Sequence, residues 1–251
     1  MVAAVQIEAQ NQIMWVAPAP SVSVSETHAA LITSSTTFTN DVNFQGTTRT
    51  VKQLRQNTAP NAWEVPWLVW NYKDNTHFYY IVLKPTGWEL DKEDPAYPGA
   101  QRFLASGTNV KFPVGAWNTF NIVHNQATGT MTVTIDGTLL TTFTDTERPY
   151  TSGKVGFYAE DAEVELDGVA GNLNDNFDSY PTQSFSDGYS VGAWSVNFLG
   201  YGSGGIRSLT GSTASTPTSA TTTPATTTPI STVSPFTGTT TTTTRKNRYA
   251  R

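Results

Sequence analysis

The stretch TMTVTIDGTLLTTF (130–143) decides the fold class. Met131, Val133 and Ile135 alternate with Thr130, Thr132 and Thr134, the period-two pattern of a strand with one buried and one wet face. Asp136-Gly137 follows as a tight hairpin turn into a second strand, Thr138–Phe143. The same signature recurs outward in both directions. Strands are expected at Val5–Val16, Ala29–Thr33, Asp41–Gln45, Arg49–Arg55, Trp67–Tyr72, His77–Leu83 and Trp88–Lys92. Beyond them come Trp117–Asn125, Lys154–Ala159 and Glu163–Leu166. Helical periodicity is nearly absent. Many strands with short turns specify an all-β, antiparallel two-sheet sandwich of the jelly-roll type.

Composition bounds the function. The 251 residues carry a net charge of −5, only 14% charged side chains and no cysteine. An acidic chain is a poor partner for nucleic acid. Without disulfides, the fold must rest on its core or on bound ions. No apolar run reaches the roughly 18 residues of a membrane helix, so insertion is not expected. MVAAVQIEAQNQIMW (1–15) lacks a basic start; Val5, Ile7 and Ala9 alternate with Gln6, Glu8 and Gln10 as in a strand. Either a signal peptide has been removed or the sequence belongs to a longer product. There is no Asn-x-Ser/Thr acceptor.

At Thr210 the composition shifts abruptly. Residues 210–244 are rich in Thr, Ser and Pro and read as a stalk or linker, too poor in apolar groups to offset the entropy of ordering. Residues 245–251, RKNRYAR, form a basic tail that is either solvated or in contact with an acidic surface. The expected organisation is therefore a domain over 1–209, a stalk and a basic end.

The segment from Asn61 to Phe103 is the most distinctive chemically. It holds Trp63, Trp67, Trp70 and Trp88 among strand-like runs that also carry His77, Glu89, Asp91, Lys92, Glu93 and Arg102. Aromatic faces interleaved with hydrogen-bonding groups suit sugar rings. The competing reading is that the aromatics fill the core.

ETHAAL (26–31), RTVKQLR (49–55), WLVWNYKDNTHFYY (67–80), GWELDKEDPAYPGAQRFL (87–104), FPVGAWN (112–118), the run 135–169 and DNFDSY (175–180) together resemble one family. The pattern is similar to the concanavalin A-like jelly-roll modules of secreted bacterial proteins, labelled LamG-like, family-16 glycoside-hydrolase-like or 3-keto-disaccharide-hydrolase-like. The resemblance spans about residues 5–206. It implies two facing antiparallel sheets, one of them concave, a structural calcium and an association with carbohydrate. It does not by itself imply catalysis. In such modules the segment matching Asp175–Ile206 opens the domain, whereas here it comes last. The chain thus reads as circularly permuted, with a loop such as 168–174 joining the old ends. Exchange of Asp175–Ile206 into a neighbouring subunit, or a frame cut from a tandem array, are the alternatives.

Three constellations follow. Asp167, Asn174, Asp175, Asn176 and Asp178 offer hard oxygen ligands for calcium, or else cap their own turn. Alternation puts Glu89, Asp91 and Glu93 on one strand face, as in a family-16-like catalytic E-x-D-x-E, although Lys92 departs from the enzymes' apolar residue. On the implied concave face, Arg49, Arg55, Arg102, Glu26, His28, His77 and Tyr79 could meet sugar hydroxyls, with Trp63, Trp70 or Trp88 as stacking platform; internal ion pairs such as Glu26 with Arg49 or Arg55 are the alternative. The expectation is an extracellular or cell-surface, calcium-stabilised, non-catalytic module that binds polysaccharide. Its rivals are a structural subunit assembling by strand exchange with itself and a glycoside hydrolase.

Overall fold

The computed structural model describes residues 11–209. The alternation at Val5, Ile7 and Ala9, the stalk at 210–244 and the basic tail at 245–251 lie outside the described residues.

The described chain is all β. In order it forms β1 (Gln12–Ala17), β2 (Ala29–Ser34), β3 (Val42–Gln53), β4 (Pro66–Asp74), β5 (His77–Lys84) and β6 (Gly87–Glu93). Next come β7 (Gln101–Gly107), β8 (Asn118–Asn125), β9 (Thr130–Ile135), β10 (Thr138–Thr144) and β11 (Lys154–Glu160). The last are β12 (Ala162–Gly171), β13 (Gln183–Ser184), β14 (Ser190–Val191), β15 (Trp194–Phe198) and β16 (Ser203–Ser208). Two eight-stranded sheets result: sheet I in the order β10-β9-β8-β3-β12-β1-β16-β13, and sheet II in the order β14-β15-β2-β11-β4-β5-β6-β7. The pairings are antiparallel throughout. This is a jelly-roll sandwich.

The pattern of residues 130–143 is met at every position. Met131, Val133 and Ile135 are buried while the intervening threonines are half-exposed. Asp136 and Gly137 both take positive φ, as a two-residue hairpin whose twist matches its strands requires. Between the sheets, Phe44, Phe120, Ile122 and Val133 from sheet I meet Leu68, Trp70, Ile81, Leu90 and Phe157 from sheet II. Each such side chain contributes roughly 1.5–3 kcal/mol of burial.

Two boundaries differ from the sequence reading. Asp41–Gln45 and Arg49–Arg55 are one continuous strand, β3. Gly46 is not a turn: a Cβ there would lie 2.9 Å from the Phe120 ring and 3.0 Å from the Asp167 carbonyl, so the glycine lets neighbours approach. β7 is an additional strand, whose edge position leaves both faces half-exposed and erases the alternation.

The C-terminal strands pair within the same chain: β15 with β2, and β16 with β1. Val169 and Asp175 exchange backbone hydrogen bonds of 2.8 and 2.9 Å, closing the turn between β12 and this segment.

Candidate functional site

Side-chain parity on sheet II creates the site. On β4, Leu68 and Trp70 turn inward while Trp67 and Val69 turn outward; on β5, Tyr79 and Ile81 turn inward while Phe78, Tyr80 and Val82 turn outward. The outward residues form a second apolar cluster with Leu31, Val65, Tyr72 and Tyr158. Trp67 stacks on Tyr80 (4.6 Å, 14°) and leans on Tyr158 (4.9 Å). Phe78 touches both Tyr80 and Tyr72. A continuous aromatic strip therefore crosses β11, β4 and β5. Beside it lies a shallow depression lined by Leu31, Val69, Tyr72, Asn75, Phe78 and Tyr158.

A row of carboxylates borders the strip. Across β5 and β6, Val82 faces Glu89, Tyr80 faces Asp91 and Phe78 faces Glu93. Directly opposed residues share a face, so the three acids of 89–93 stand together beside the aromatics. Lys84 pairs with Glu89. Gln101 donates to the Tyr80 hydroxyl (2.6 Å), and Tyr158 donates along β11 to Glu160 (2.8 Å). Aromatic planes flanked by directed oxygen and nitrogen partners are the arrangement a sugar ring needs. The strip is nevertheless almost closed to solvent, with Trp67 4%, Tyr80 0% and Tyr158 5% exposed.

The residues expected to bind ligand are scattered. Trp70, Tyr79 and Trp88 lie in the core between the sheets. Trp63 flanks the aromatic strip, and its carbonyl accepts the Trp67 indole N–H at 2.9 Å. His77 sits at the start of β5 against Asp74, and Glu26 pairs with His28 (3.3 Å). Arg49 faces outward from sheet I, paired with Glu165 and lying over Trp117 (4.8 Å). Arg55 is internal: it binds Glu64 (2.5 Å), Asp161 (2.9 Å) and the Ser23 and Glu26 carbonyls. Only the carbonyl of Glu26, not its carboxylate, meets Arg55. Sequence reasoning missed Trp67, Tyr80 and Tyr158. Runs 65–70 and 78–83 are apolar at every position, so alternation could not say which aromatic faced which way.

Lys92 explains the departure from the catalytic pattern. Its parity on β6 sends it inward opposite Tyr79. The ammonium is fully buried and donates to Asp145 (2.8 Å) and to the Glu147 and Arg148 carbonyls (2.9 and 2.6 Å), over the Tyr150 ring (4.4 Å). Burial alone would raise the Asp145 carboxyl, but hydrogen bonds from Lys92, Tyr79 and the Glu147 amide, with the Lys92 charge, bring it below the ordinary range. Arg102 completes this anchor at 2.9 Å from Asp145. Nearby, burial holds His124 neutral, lowering it to about 4 against the partial opposition of Asp145 and Asp41; its Nδ1 is 3.2 Å from the Asn71 amide. These groups fasten the segment after β10 to sheet II.

The residues expected to hold calcium divide. Asp175 turns inward, accepting from the Phe177 amide (2.8 Å), the Tyr180 hydroxyl (2.8 Å) and the Trp194 indole (3.0 Å). Asp178 accepts from the Gln12 amide (2.9 Å) and from Asn176 (2.7 Å). Asp167 is raised to about 6 by burial, with Asp178 and Glu165 adding and the Gly168 amide opposing. Among the described residues, no three His, Cys, Asp or Glu side chains gather at metal-binding range.

An antiparallel jelly roll bearing an aromatic, acid-bordered outer face is the class of protein that fold and site define. A family model for the 3-keto-alpha-glucoside-1,2-lyase-like domain matches residues 39–169, over half of the chain, and the chain belongs to that family. No curated protein matches it in sequence. Among solved structures it is similar to the carbohydrate binding module CBM66 from Bacillus subtilis, with 14% identity and a TM-score of 0.44, covering 64% of this chain and 95% of that one. It is also similar to a SAP-like pentraxin from Limulus polyphemus, with 11% identity, a TM-score of 0.39 and 64% and 76% coverage. A putative glycosyl hydrolase from Parabacteroides distasonis shows 12% identity, a TM-score of 0.34 and 55% and 73% coverage.

Proposed function

We propose that this chain is a non-catalytic glycan-binding module whose sugar-facing surface is the outer face of sheet II. The observation that carries the reading is the Tyr158–Trp67–Tyr80–Phe78 strip with the 89–93 carboxylates and Gln101 beside it. Sugar hydroxyls donate to the half-exposed Glu89 and Glu93 and accept from Gln101 beside the strip. Membership in a family named for glucoside chemistry supports a carbohydrate ligand. The test is calorimetric titration with a β-glucan, a fructan, a galactan and a polyuronate. Binding to one of them, weakened about tenfold or more by Glu93→Gln as for the loss of a charged hydrogen-bond partner, is the expected result. No binding to any would sink the proposal.

A hydrolytic reading uses the same face, because Glu89, Asp91 and Glu93 share it. It requires reducing-end release that Glu89→Gln abolishes.

Further parts of the proposal are a calcium ion between Asp167 and Asp178, an extracellular setting and a circular permutation complete within one chain. The composition of 210–244 supports the setting. The register of β15 on β2 and of β16 on β1 gives the C-terminal strands the places that a permutant complete within one chain requires. Sedimentation velocity should then give a monomer; rings or filaments would favour exchange.

A further inference from the structure

The outer face of sheet I, on the opposite side of the sandwich, carries a row of its own. Trp15 on β1 stands opposite Glu165 on β12, and Glu165 stands opposite Arg49 on β3. Directly opposed residues share a face, and all three point outward because Met14, Val16, Val164 and Leu166 enter the core. Arg207 lies over the Trp15 ring (4.6 Å) as Arg49 lies over Trp117 (4.8 Å). Three strand steps of about 4.8 Å separate the two indoles, so the row is roughly 14 Å across. Both indoles remain half-exposed.

Exposure within the row divides by sign. The Glu165 and Glu163 side chains are 2% and 11% exposed, whereas those of Arg49, Arg207 and Lys52 are 25%, 31% and 62% exposed. Acids form the floor and cations the rim, so solvent meets positive charge here on a chain of net charge −5. Arg49 engages Glu165 through Nε alone; among the described residues its two terminal nitrogens have no hydrogen-bond partner. Arg207 binds Glu163 (2.8 Å) and Glu165 through Nε and one terminal nitrogen, leaving the other unused. The shared carboxylate holds both guanidiniums in place before any ligand arrives, which lowers the entropy lost on binding. Beside the row, Thr47 and Thr119 oppose each other as short hydroxyl groups, and Asp167 opposite Thr47 bounds the cationic patch.

We propose that this row is a second glycan site, one that binds a uronate-containing polysaccharide. A uronate carboxylate pairs with the open end of the Arg49 fork. Its ring presents C–H faces to the indoles, and its hydroxyls meet Thr47 and Thr119. The acids bordering sheet II would repel the same polymer, so the two faces sort glycans by charge. An acidic peptide would satisfy the guanidiniums but leave the flanking indoles unused.

The test is calorimetric titration of the full chain with polygalacturonate, its carboxyl-reduced form and polyglutamate. Arg49→Gln should weaken polygalacturonate binding about tenfold or more, as for the loss of a charged hydrogen bond, while Glu93→Gln on sheet II leaves it unchanged. Any binding of the carboxyl-reduced polymer should be indifferent to Arg49→Gln. Trp117→Ala should weaken polygalacturonate as well, and serves as the second variant should Arg49→Gln disturb folding. No binding of polygalacturonate, or binding that Glu93→Gln removes and Arg49→Gln does not, would overturn the site. Polyglutamate bound as tightly, with the same dependence on Arg49, would overturn the sugar as its ligand.

Discussion

Arg55→Met should be among the most damaging single substitutions in this protein. The guanidinium is 1% exposed, against carboxylates of Glu64 and Asp161 that are 0% exposed. It also satisfies the Ser23 and Glu26 carbonyls, so four of its five N–H groups are used internally. Methionine fills much of the volume but strands two buried acids. Asn61 still donates to Glu64, and the Ser21 amide to Asp161, yet neither supplies a charge. Removing one partner of a buried ion pair costs about 3–5 kcal/mol. For a domain of roughly 200 residues that corresponds to a melting-temperature drop of about 10 °C. Thermal and urea unfolding of wild type, Arg55→Met and Arg55→Lys would measure it. The lysine variant should fall between, because a point charge cannot span all four acceptors. A loss below about 1 kcal/mol for Arg55→Met would refute the buried-anchor reading and return Arg55 to the candidates for ligand contact.

The remaining predictions concern pH and metal. His124 stays neutral in the fold down to about 4 but takes a proton at its ordinary 6.5 when unfolded. Between those values the unfolded chain binds more protons, so this residue lowers stability as pH falls from 6.5 to 4, by about 3 kcal/mol in all. Asp167 acts in the opposite sense, because its raised carboxyl loses stability as pH rises from 3.8 to about 6. Wild type therefore shows a partly cancelled slope, and melts of His124→Gln and Asp167→Asn across that range should separate the two; parallel curves for all three proteins would contradict the assignment. If calcium sits at Asp167 and Asp178, it should raise the wild-type melting temperature above pH 6, and EDTA should reverse this. Asp167→Asn should be indifferent to both; an equal response in wild type and variant would remove the site.

Much of the fold was legible because a half-buried strand writes its geometry into sequence at period two. Thr130–Phe143 needed no tertiary information: the threonines face water, the aliphatics face the core, and Asp136-Gly137 supplies the positive φ of the turn. Alternation likewise placed Glu89, Asp91 and Glu93 on a common face. It failed where both faces of a strand are closed. On β4 and β5, Trp67 and Trp70, or Tyr79 and Tyr80, are equally apolar neighbours, and only the position of sheet I decides which of each pair enters the core. Edge strand β7 failed for the converse reason, since neither of its faces is fully buried.

Charged residues were the least legible. The sequence presents Arg55 and Arg102 as cations available to a ligand, and Lys92 as a departure from the enzymes' pattern. Each is taken by an acid distant along the chain: Arg55 by Asp161, and Arg102 and Lys92 by Asp145. No local pattern encodes such pairs, because they join strands and loops that are distant along the chain and meet only after the sheets have stacked. Sequence by itself determined the all-β class, the hairpins and the family, since these follow from local periodicity, turn chemistry and motif. Tertiary structure alone decided which aromatics face outward and which ions are internal. Both depend on what packs against a strand from the other side of the sandwich.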